Sequence, residues 1–273
     1  MNMKKTVLIG GKDSPDGNDF AAGMVLKDRN VFITAKGEVA SLAGGVTAVT
    51  WNKSSSISAR SVILSCLNSA STIDEAILFF DEVFFAPKYA APDEKSGAQI
   101  VFPTGATQIN RAFDEMILSY QFLASEIISR LSKKRSSSSS SASPAQALQQ
   151  GQAQNAKLIF ILKSNTSESQ AAANPGLRKS FVLSNSLVAS CAAAFRAFAE
   201  NVAAALVESE YFLPVLVECD SANETAAKDS TLSSWLCDYI KAIDSLKKPL
   251  SAKQKVSWVK AGAKSPGGFS FFR

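Results

Sequence analysis

Short apolar runs alternate along the chain with longer segments in which apolar residues recur at helical spacing. The runs have the length and the β-branched and aromatic content of buried strands. They are Thr6–Gly10, Asn30–Thr34, Val46–Trp51, Glu75–Phe80, Lys157–Leu162 and Phe212–Glu218, with Lys255–Val259 as a further candidate. The helical segments are Phe20–Lys27, Ser54–Asn68, Thr107–Leu131, Ser184–Val207 and Thr231–Leu246. Because strands that alternate with helices form parallel sheets, the pattern predicts one doubly wound α/β domain over residues 1–273.

A long helical pattern lies at Ser184–Val207, where apolar or small residues form a stripe wider than one helix face. Such a helix is buried on more than one side. It lies between two predicted strands, so we expect one face to pack on the sheet and another to pack on something else.

Three segments depart from this alternation. Residues 86–106 have no periodicity and contain several prolines, which is typical of a long loop. Residues 133–155 begin with three basic residues and continue as a Ser-, Gln- and Ala-rich stretch, a composition typical of a flexible insertion. Residues 247–273 form a basic C-terminal tail. Since the strand pattern resumes at residue 157, we interpret 133–155 as an insertion within one domain.

The chain contains no histidine, which excludes Ser-His-Asp and Cys-His catalysis and imidazole metal ligation. We predict no metal site. The four cysteines stand far apart and form no C-x-x-C pair, so we expect buried free thiols, as in a reducing compartment. The N-terminus lacks the apolar length of a signal peptide, and no apolar run reaches the roughly 18 residues of a membrane span. These features favour a cytoplasmic protein with no membrane contact.

The net charge of +5 is unevenly placed. From Lys241 to Arg273 eight basic residues accompany one acidic residue, so this end carries +7 and the rest of the chain −2. A basic tail beside a nearly neutral body can attract a nucleic acid, an acidic carrier protein or a membrane surface. Since no nucleic-acid-binding motif accompanies it, we retain an acidic partner as the alternative to a solvated surface.

The order and lengths of these elements resemble the short-chain dehydrogenase/reductase family, from Lys5 to about Gly268. The segment LVASCAAAFRAFAENVA is similar to the family's fifth helix, which carries a catalytic tyrosine and, four residues on, a lysine. These positions hold Leu187 and Cys191. The resemblance therefore implies a degenerate member with a Rossmann-like fold but no Tyr-x-x-x-Lys motif. Leucine has no proton to give to a substrate oxygen, and cysteine carries no positive charge.

Other positions that matter in the family are also altered. The catalytic serine falls near Ser164, and the helix-four asparagine falls near Met116. The Asn-Asn-Ala-Gly that ends the family's fourth strand is replaced by Phe80–Val83, whose two carboxylates disfavour an anionic dinucleotide. Residues Asp81 and Glu82 are expected at a solvated strand end. Tyr120, on the helix that lines the family's site, is the candidate replacement acid, with core packing as the alternative.

The glycine-rich turn after the first strand keeps Gly10, Gly11 and Gly17. In the family such glycines let backbone N–H groups approach a pyrophosphate. Aspartates at positions 13, 16 and 19 oppose that anion here. Lys36, after the second strand, favours the 2′-phosphate of NADP, and Asn52, after the third, offers a hydrogen bond to an adenine. The resemblance thus implies either no cofactor or NADP.

The family assembles through its fourth and fifth long helices, which here are rich in apolar and small residues. The resemblance therefore implies a homo-oligomer through residues 107–131 and 184–207. Three functions stay open. The first is a catalytically inactive relative, a pseudoenzyme that acts by binding or assembly. The second is a divergent NAD(P)-dependent oxidoreductase acting on a carbonyl or enoyl substrate. The third is a different small-molecule binder that uses the same crevice.

Overall fold

The backbone forms one seven-stranded parallel sheet with helices on both faces. The computed structural model describes residues 4–37, 42, 44–89, 106–139, 155–165, 173, 186–220, 223–264 and 266. For residues 134–139 it describes the backbone alone. The strands are β1 (Lys5–Ser14), β2 (Arg29–Ala35), β3 (Val46–Thr50), β4 (Glu75–Asp81), β5 (Ala156–Ser164), β6 (Phe212–Asp220) and β7 (Trp258–Lys260). Their order across the sheet is β3-β2-β1-β4-β5-β6-β7, and every neighbouring pair is parallel.

Helices cover the sheet on each side. They are α1 (Asn18–Val25), α2 (Ser56–Ala70), α3 (Glu82–Lys88), α4 (Ala106–Phe113), α5 (Ser119–Ser139), α6 (Ser186–Ala205), α7 (Asp229–Asp244) and α8 (Ala252–Lys255), with a π-helix (Asp114–Leu118) joining α4 to α5. One buried cluster lies between the sheet and α2, α5 and α6, and the other lies between the sheet and α1 and α7. The predicted doubly wound parallel α/β fold is confirmed.

The central strands explain why the apolar runs were continuous rather than alternating. Every residue of β4 is buried, and the first seven residues of β5 are buried as well. Strands covered by helices on both faces bury both sets of side chains, so they need apolar residues at successive positions.

The segment boundaries differ from the prediction in several places. The expected loop over 86–106 overlaps the end of helix α3, and residues 90–105 lie outside the described residues. The helix predicted over 107–131 extends to Ser139, so the first part of the predicted insertion is helical, while residues 140–154 are outside the description. The last predicted strand shortens to β7, because α8 begins at a Ser251–Gln254 capping box and occupies its first residue.

Helix α6, predicted over Ser184–Val207, packs as expected on its inner side. Val188, Cys191, Phe195, Ala199 and Ala203 are buried in the cluster beneath it. Among the described residues it is also the one helix whose length and composition would suit a membrane span. A helix that packs in the core of a sheet protein can have the same length and composition.

Candidate functional site

In doubly wound folds the ligand crevice lies at the carboxyl ends of the strands, where the strand order reverses. Here the reversal is between β1 and β4, since β2 lies on one side of β1 and β4 on the other. Strand β1 continues to Ser14, so its carboxyl end carries Gly11, Lys12 and Asp13 directly into this crevice.

The glycines of the predicted phosphate turn are required by contacts within the protein. Gly11 has φ of +103°, and a Cβ there would clash with the Phe79 carbonyl oxygen and lie 2.5 Å from the Tyr120 hydroxyl. A Cβ on Gly10 would lie 2.5 Å from Leu123 Cδ2, and one on Gly17 would clash with the carbonyl of residue 12. Close packing of β1 against β4 and α5 therefore accounts for Gly10 and Gly11, and the turn back onto residue 12 accounts for Gly17.

A buried ion cluster lies over the carboxyl ends of β1, β4 and β5. Lys12 Nζ lies 2.7 Å from Asp81 Oδ2 and also pairs with Asp229, the first residue of α7. Lys163 Nζ, from β5, lies 3.1 Å from Asp229 Oδ1. The side chains of Lys12 and Asp81 are only 7% and 4% exposed. We refer to Lys12, Asp81, Asp229 and Lys163 as the crevice cluster.

The electrostatics of this cluster favour the charged forms of Lys12 and Asp229. Burial alone lowers the pKa of Lys12, but the attraction of Asp81 and Asp229 outweighs it and the pKa is raised. Burial alone raises the pKa of Asp229, but Lys12 and Lys163 outweigh it and the pKa is lowered. The cluster is therefore a set of compensated charges at neutral pH.

The expectation of a solvated strand end at Asp81 and Glu82 is wrong. Asp81 is 3% exposed and also caps α3, accepting hydrogen bonds from the backbone N–H groups of Val83 (3.0 Å) and Phe84 (3.3 Å). Glu82 is 7% exposed and accepts a hydrogen bond from the backbone N–H of Asn165. The carboxylates are buried because the start of α3 supplies local N–H donors, and the fold adds Lys12 of β1 and the N–H of Asn165 after β5, both distant in sequence.

A second charged cluster lies beside the first, on the β2 and β3 side. Lys53 Nζ lies 2.8 Å from Asp13 Oδ2 and 3.7 Å from Glu115 Oε1. Glu115, on the π-helix, also pairs with Lys88 and accepts a 2.6 Å hydrogen bond from the Tyr89 hydroxyl. Burial, followed by the hydrogen bond to Glu115, raises the pKa of Tyr89. Asp13 and Glu115 are thus both neutralised by lysines.

An open pocket of about 300 Å³ adjoins this second cluster. Lys36 and Asn52, both predicted from sequence as cofactor-binding residues, line it together with Trp51 and Arg111. The Asn52 side-chain oxygen accepts a hydrogen bond from the backbone N–H of Ser54. The Trp51 indole N–H is buried and has no hydrogen-bond partner in the described part of the chain. The structure therefore brings the two predicted residues of the β2 and β3 ends into one pocket.

The residues that the sequence resemblance matched to the family's catalytic positions are packed in or against the core, or already hydrogen-bonded within the protein. Leu187 packs against the core, Met116 and Cys191 are fully buried, and burial raises the pKa of the Cys191 thiol to about 11. The Ser164 hydroxyl donates a 3.3 Å hydrogen bond to the Cys219 carbonyl.

Tyr120 does not fit the role of a replacement acid. It is 1% exposed, and its hydroxyl donates a 2.8 Å hydrogen bond to the Phe79 carbonyl oxygen. Burial raises its pKa well above the ordinary value. Tyr120 instead packs in the core, which was the alternative given for it from the sequence.

Sequence reasoning missed the residues that dominate the crevice, namely Lys12, Lys53, Arg111, Glu115 and Asp229. One local signal was present: Lys12 and Asp13 follow directly after a buried apolar run, where charged side chains must meet partners at the strand end. Lys12 pairs with residues of β4 and α7, and Asp13 pairs with Lys53 after β3, and nothing local indicates these pairings.

Comparisons with known proteins locate the fold. No protein-family model matches the chain, and no curated protein matches it in sequence. Solved structures do match over most of their length. A 3-ketoacyl-(acyl-carrier-protein) reductase from Brucella melitensis, complexed with NADH, has a TM-score of 0.58 at 10% identity and covers 94% of this chain and 96% of its own.

Two further structures agree with this match. ElxO with NADP bound has a TM-score of 0.55 at 11% identity, with coverage of 97% and 98%. A short-chain dehydrogenase from Leptospira borgpetersenii with bound NAD+ has a TM-score of 0.52 at 10% identity, with coverage of 93% and 83%. At such identities the likeness concerns the fold, and the chain has the short-chain dehydrogenase/reductase fold that the sequence resemblance predicted.

Proposed function

We propose that the protein is a catalytically inactive member of this fold class, acting by binding rather than by hydride transfer. The observation that carries the proposal is Lys12, held between Asp81 and Asp229 at the reversal point of the sheet. The proteins of similar structure are solved with NADH, NADP or NAD+. In this chain the same end of the sheet carries two buried carboxylates, Asp81 and Asp229. Lys12 and Lys163 already neutralise them, so no unpaired positive charge in this cluster attracts an anionic dinucleotide.

The missing proton donor supports the same proposal. A carbonyl reductase needs a group that delivers a proton to the substrate oxygen, and a nearby cation makes that group more acidic. Leu187 cannot do so. Tyr89, the tyrosine nearest the charged groups, donates to the Glu115 carboxylate, and its pKa is raised rather than lowered. Tyr89 would therefore be an unfavourable proton donor for a divergent oxidoreductase.

A small anion is the ligand that the remaining pocket suits. Asp13 and Glu115 are offset by Lys53 and Lys88. Lys36 and Arg111 also line the pocket or its rim, and neither has an ion pair within the described residues. The excess of positive charge in this pocket favours an anionic ligand group. Lys36 is the residue for which the sequence predicted a contact with the 2′-phosphate of NADP. We therefore propose binding of an adenosine phosphate fragment without binding of the nicotinamide half.

The test compares fragment and whole cofactor by thermal shift. A ligand at 100 times its dissociation constant stabilises the folded state by about 2.7 kcal/mol. Adenosine 2′,5′-bisphosphate should stabilise the wild type, and the variants Lys36→Ala and Arg111→Ala should lose that shift. NADPH should stabilise no more than the fragment and should not be oxidised by carbonyl or enoyl substrates.

Each other outcome has a meaning. Turnover of NADPH would establish the divergent oxidoreductase. A shift with NADPH far above that with the fragment would show that the nicotinamide half binds. If neither adenosine 2′,5′-bisphosphate nor NADPH shifts the melting temperature, nucleotide binding is excluded. Binding of a different molecule, or a role in assembly, would then remain. Lys264→Ala, at a lysine outside this pocket, is the matched control and should keep the wild-type shift.

Two partner predictions also remain proposals. We propose a homo-oligomer through residues 107–131 and 184–207, and Ala193→Glu, on the exposed face of α6, should then reduce the mass of the particle.

We also propose an acidic partner for the basic tail. Lys247 and Lys248 line a groove of about 800 Å³ at the amino ends of β5 and β6, together with Lys157. The described tail includes residues 247–264 and 266, whereas Phe269, Phe271 and Phe272 lie outside the description.

A further inference from the structure

One edge of the sheet, strand β3, has hydrogen-bonding groups that no described residue pairs with. It pairs with β2 alone, with Val46 opposite Val31 at the start of the register. The Gly45 carbonyl and the Trp51 N–H bond to β2 at the two ends of the strand. Since alternate residues of a strand face alternate sides, Val46, Ala48 and Thr50 direct their N–H and C=O groups away from the sheet.

This edge lacks the features by which sheet edges usually avoid pairing. Its sequence, Val-Thr-Ala-Val-Thr, contains no charge and no proline, and it is rich in β-branched residues. The opposite edge, β7, is only three residues long and carries Lys260. Short length and lysine are two known protections, so the two edges differ in how readily they would accept another strand.

A groove of about 400 Å³ runs between β3 and helix α2. Phe32 and Thr47 line it on the sheet side, and Ser61, Ser65 and Ser69 line it on the helix side. No charged side chain lines this groove. A strand added beside β3 would direct every second side chain into this space, which is bordered by hydroxyl groups and small residues.

We propose that a second copy of this chain pairs with β3 in antiparallel orientation, on a two-fold axis at Ala48. In that register Ala48 faces itself, and Val46 faces Thr50 of the partner subunit, so the outward N–H and C=O groups of both strands pair with each other. The result is one continuous sheet across two subunits, an isologous contact.

The self-complementarity of β3 favours a second copy over an unrelated peptide. The alanine at the axis causes no crowding. Thr47 and Val49 lie on the α2 side of the sheet, where each would face the other across the axis and enter the groove beside Phe32. β-Branched side chains in such opposed positions stabilise antiparallel pairs. Because the strand carries no charge, two copies meet without like-charge repulsion.

The mass of the particle in solution, by light scattering or sedimentation, tests this interface against the helix interface. Ala48→Pro removes an N–H that faces away from β2, so the existing ladder keeps its bonds. The Ala48→Pro variant should have half the mass of the wild-type particle. Thr50→Lys should have the same effect without changing the backbone, and it replaces the proline variant if that variant fails to fold. Ala193→Glu, on the other candidate interface, should leave the β3 contact in place.

A cross-link gives an independent readout. Opposed residues of a hydrogen-bonded antiparallel pair have Cα atoms about 5.5 Å apart, inside the usual disulfide range. Ala48→Cys should therefore form a covalent dimer under mild oxidation. The four native thiols are buried, with pKa values raised by burial to about 11 or 12, so they should not compete. Ala252→Cys, at an exposed position of α8 that lies outside both candidate interfaces, is the control and should stay uncross-linked.

Three results would overturn the proposal. If the wild type is a monomer at high micromolar concentration, two copies do not pair through β3. The same result is expected if the β3 edge binds a peptide of another protein, so that case also overturns the proposal. A mass unchanged by both Ala48→Pro and Thr50→Lys, but lowered by Ala193→Glu, assigns assembly to the helices alone. Failure of Ala48→Cys to cross-link above the level of Ala252→Cys removes the two-fold register.

Discussion

Replacing Lys12 by methionine tests whether the crevice cluster is held by its charges. Methionine keeps most of the side-chain volume but leaves Asp81, whose side chain is 4% exposed, without its cation. Removing one partner of a buried ion pair costs about 3–5 kcal/mol. Asp81 retains two backbone hydrogen bonds, and Asp229 retains Lys163, so we expect the lower end, about 3 kcal/mol.

Urea denaturation measures this loss directly, and thermal melting gives a second estimate. At about 2–4 °C per kcal/mol for domains approaching this size, the melting temperature should fall by roughly 6–12 °C. The matched control is Lys27→Met, because Lys27 pairs with Asp238 at the surface, where the side chains are 36% and 62% exposed. An exposed pair contributes about 0–1 kcal/mol, so that variant should melt close to the wild type.

The dependence on pH gives the sign of the effect. Asp229 has a lowered pKa, so its contribution is present above the ordinary value of 3.8 and is lost as pH falls through the lower folded value. Lys12 has a raised pKa, so its contribution is complete below the ordinary value of 10.5 and is lost as pH rises through the higher folded value. The difference between wild type and Lys12→Met should therefore be largest from weakly acidic to weakly alkaline pH. A difference below 0.5 kcal/mol at pH 7, with the control unchanged, would refute the reasoning.

Further predictions concern the positions that were expected to bind or react. Gly11→Ala should lower the free energy of unfolding by about 2 kcal/mol or more, because the Cβ clashes and φ is positive, whereas Gly37→Ala, with open space, should change it by less than about 0.5 kcal/mol. Tyr120→Phe should cost about 1 kcal/mol in urea denaturation, through the lost bond to the Phe79 carbonyl, and leave pocket binding unchanged; lost binding would contradict a packing role. Cys191 should react with a thiol reagent at neutral pH far more slowly in folded than in unfolded protein, and equal rates would contradict its burial.

Much of the fold was predictable from the sequence because its signals are local. Continuous apolar runs such as those of β4 and β5 identified strands buried on both faces, and the wide stripe of α6 identified a helix packed in the core. The positions of Leu187 and Cys191 in that helix also predicted the absence of the usual proton donor and its lysine. These conclusions need only spacing and side-chain chemistry.

The crevice was decided by tertiary structure. Lys12 and Asp229 are more than 200 positions apart, yet they pair at the carboxyl end of the sheet because β1 and α7 meet there. The sequence indicated carboxylates that would repel a cofactor, and the fold supplies the lysines that neutralise them. The open hydrogen-bonding edge of β3 has the same origin. A strand's sequence indicates that it will pair, but only the position of β3 at the end of the sheet leaves one side without a partner among the described residues.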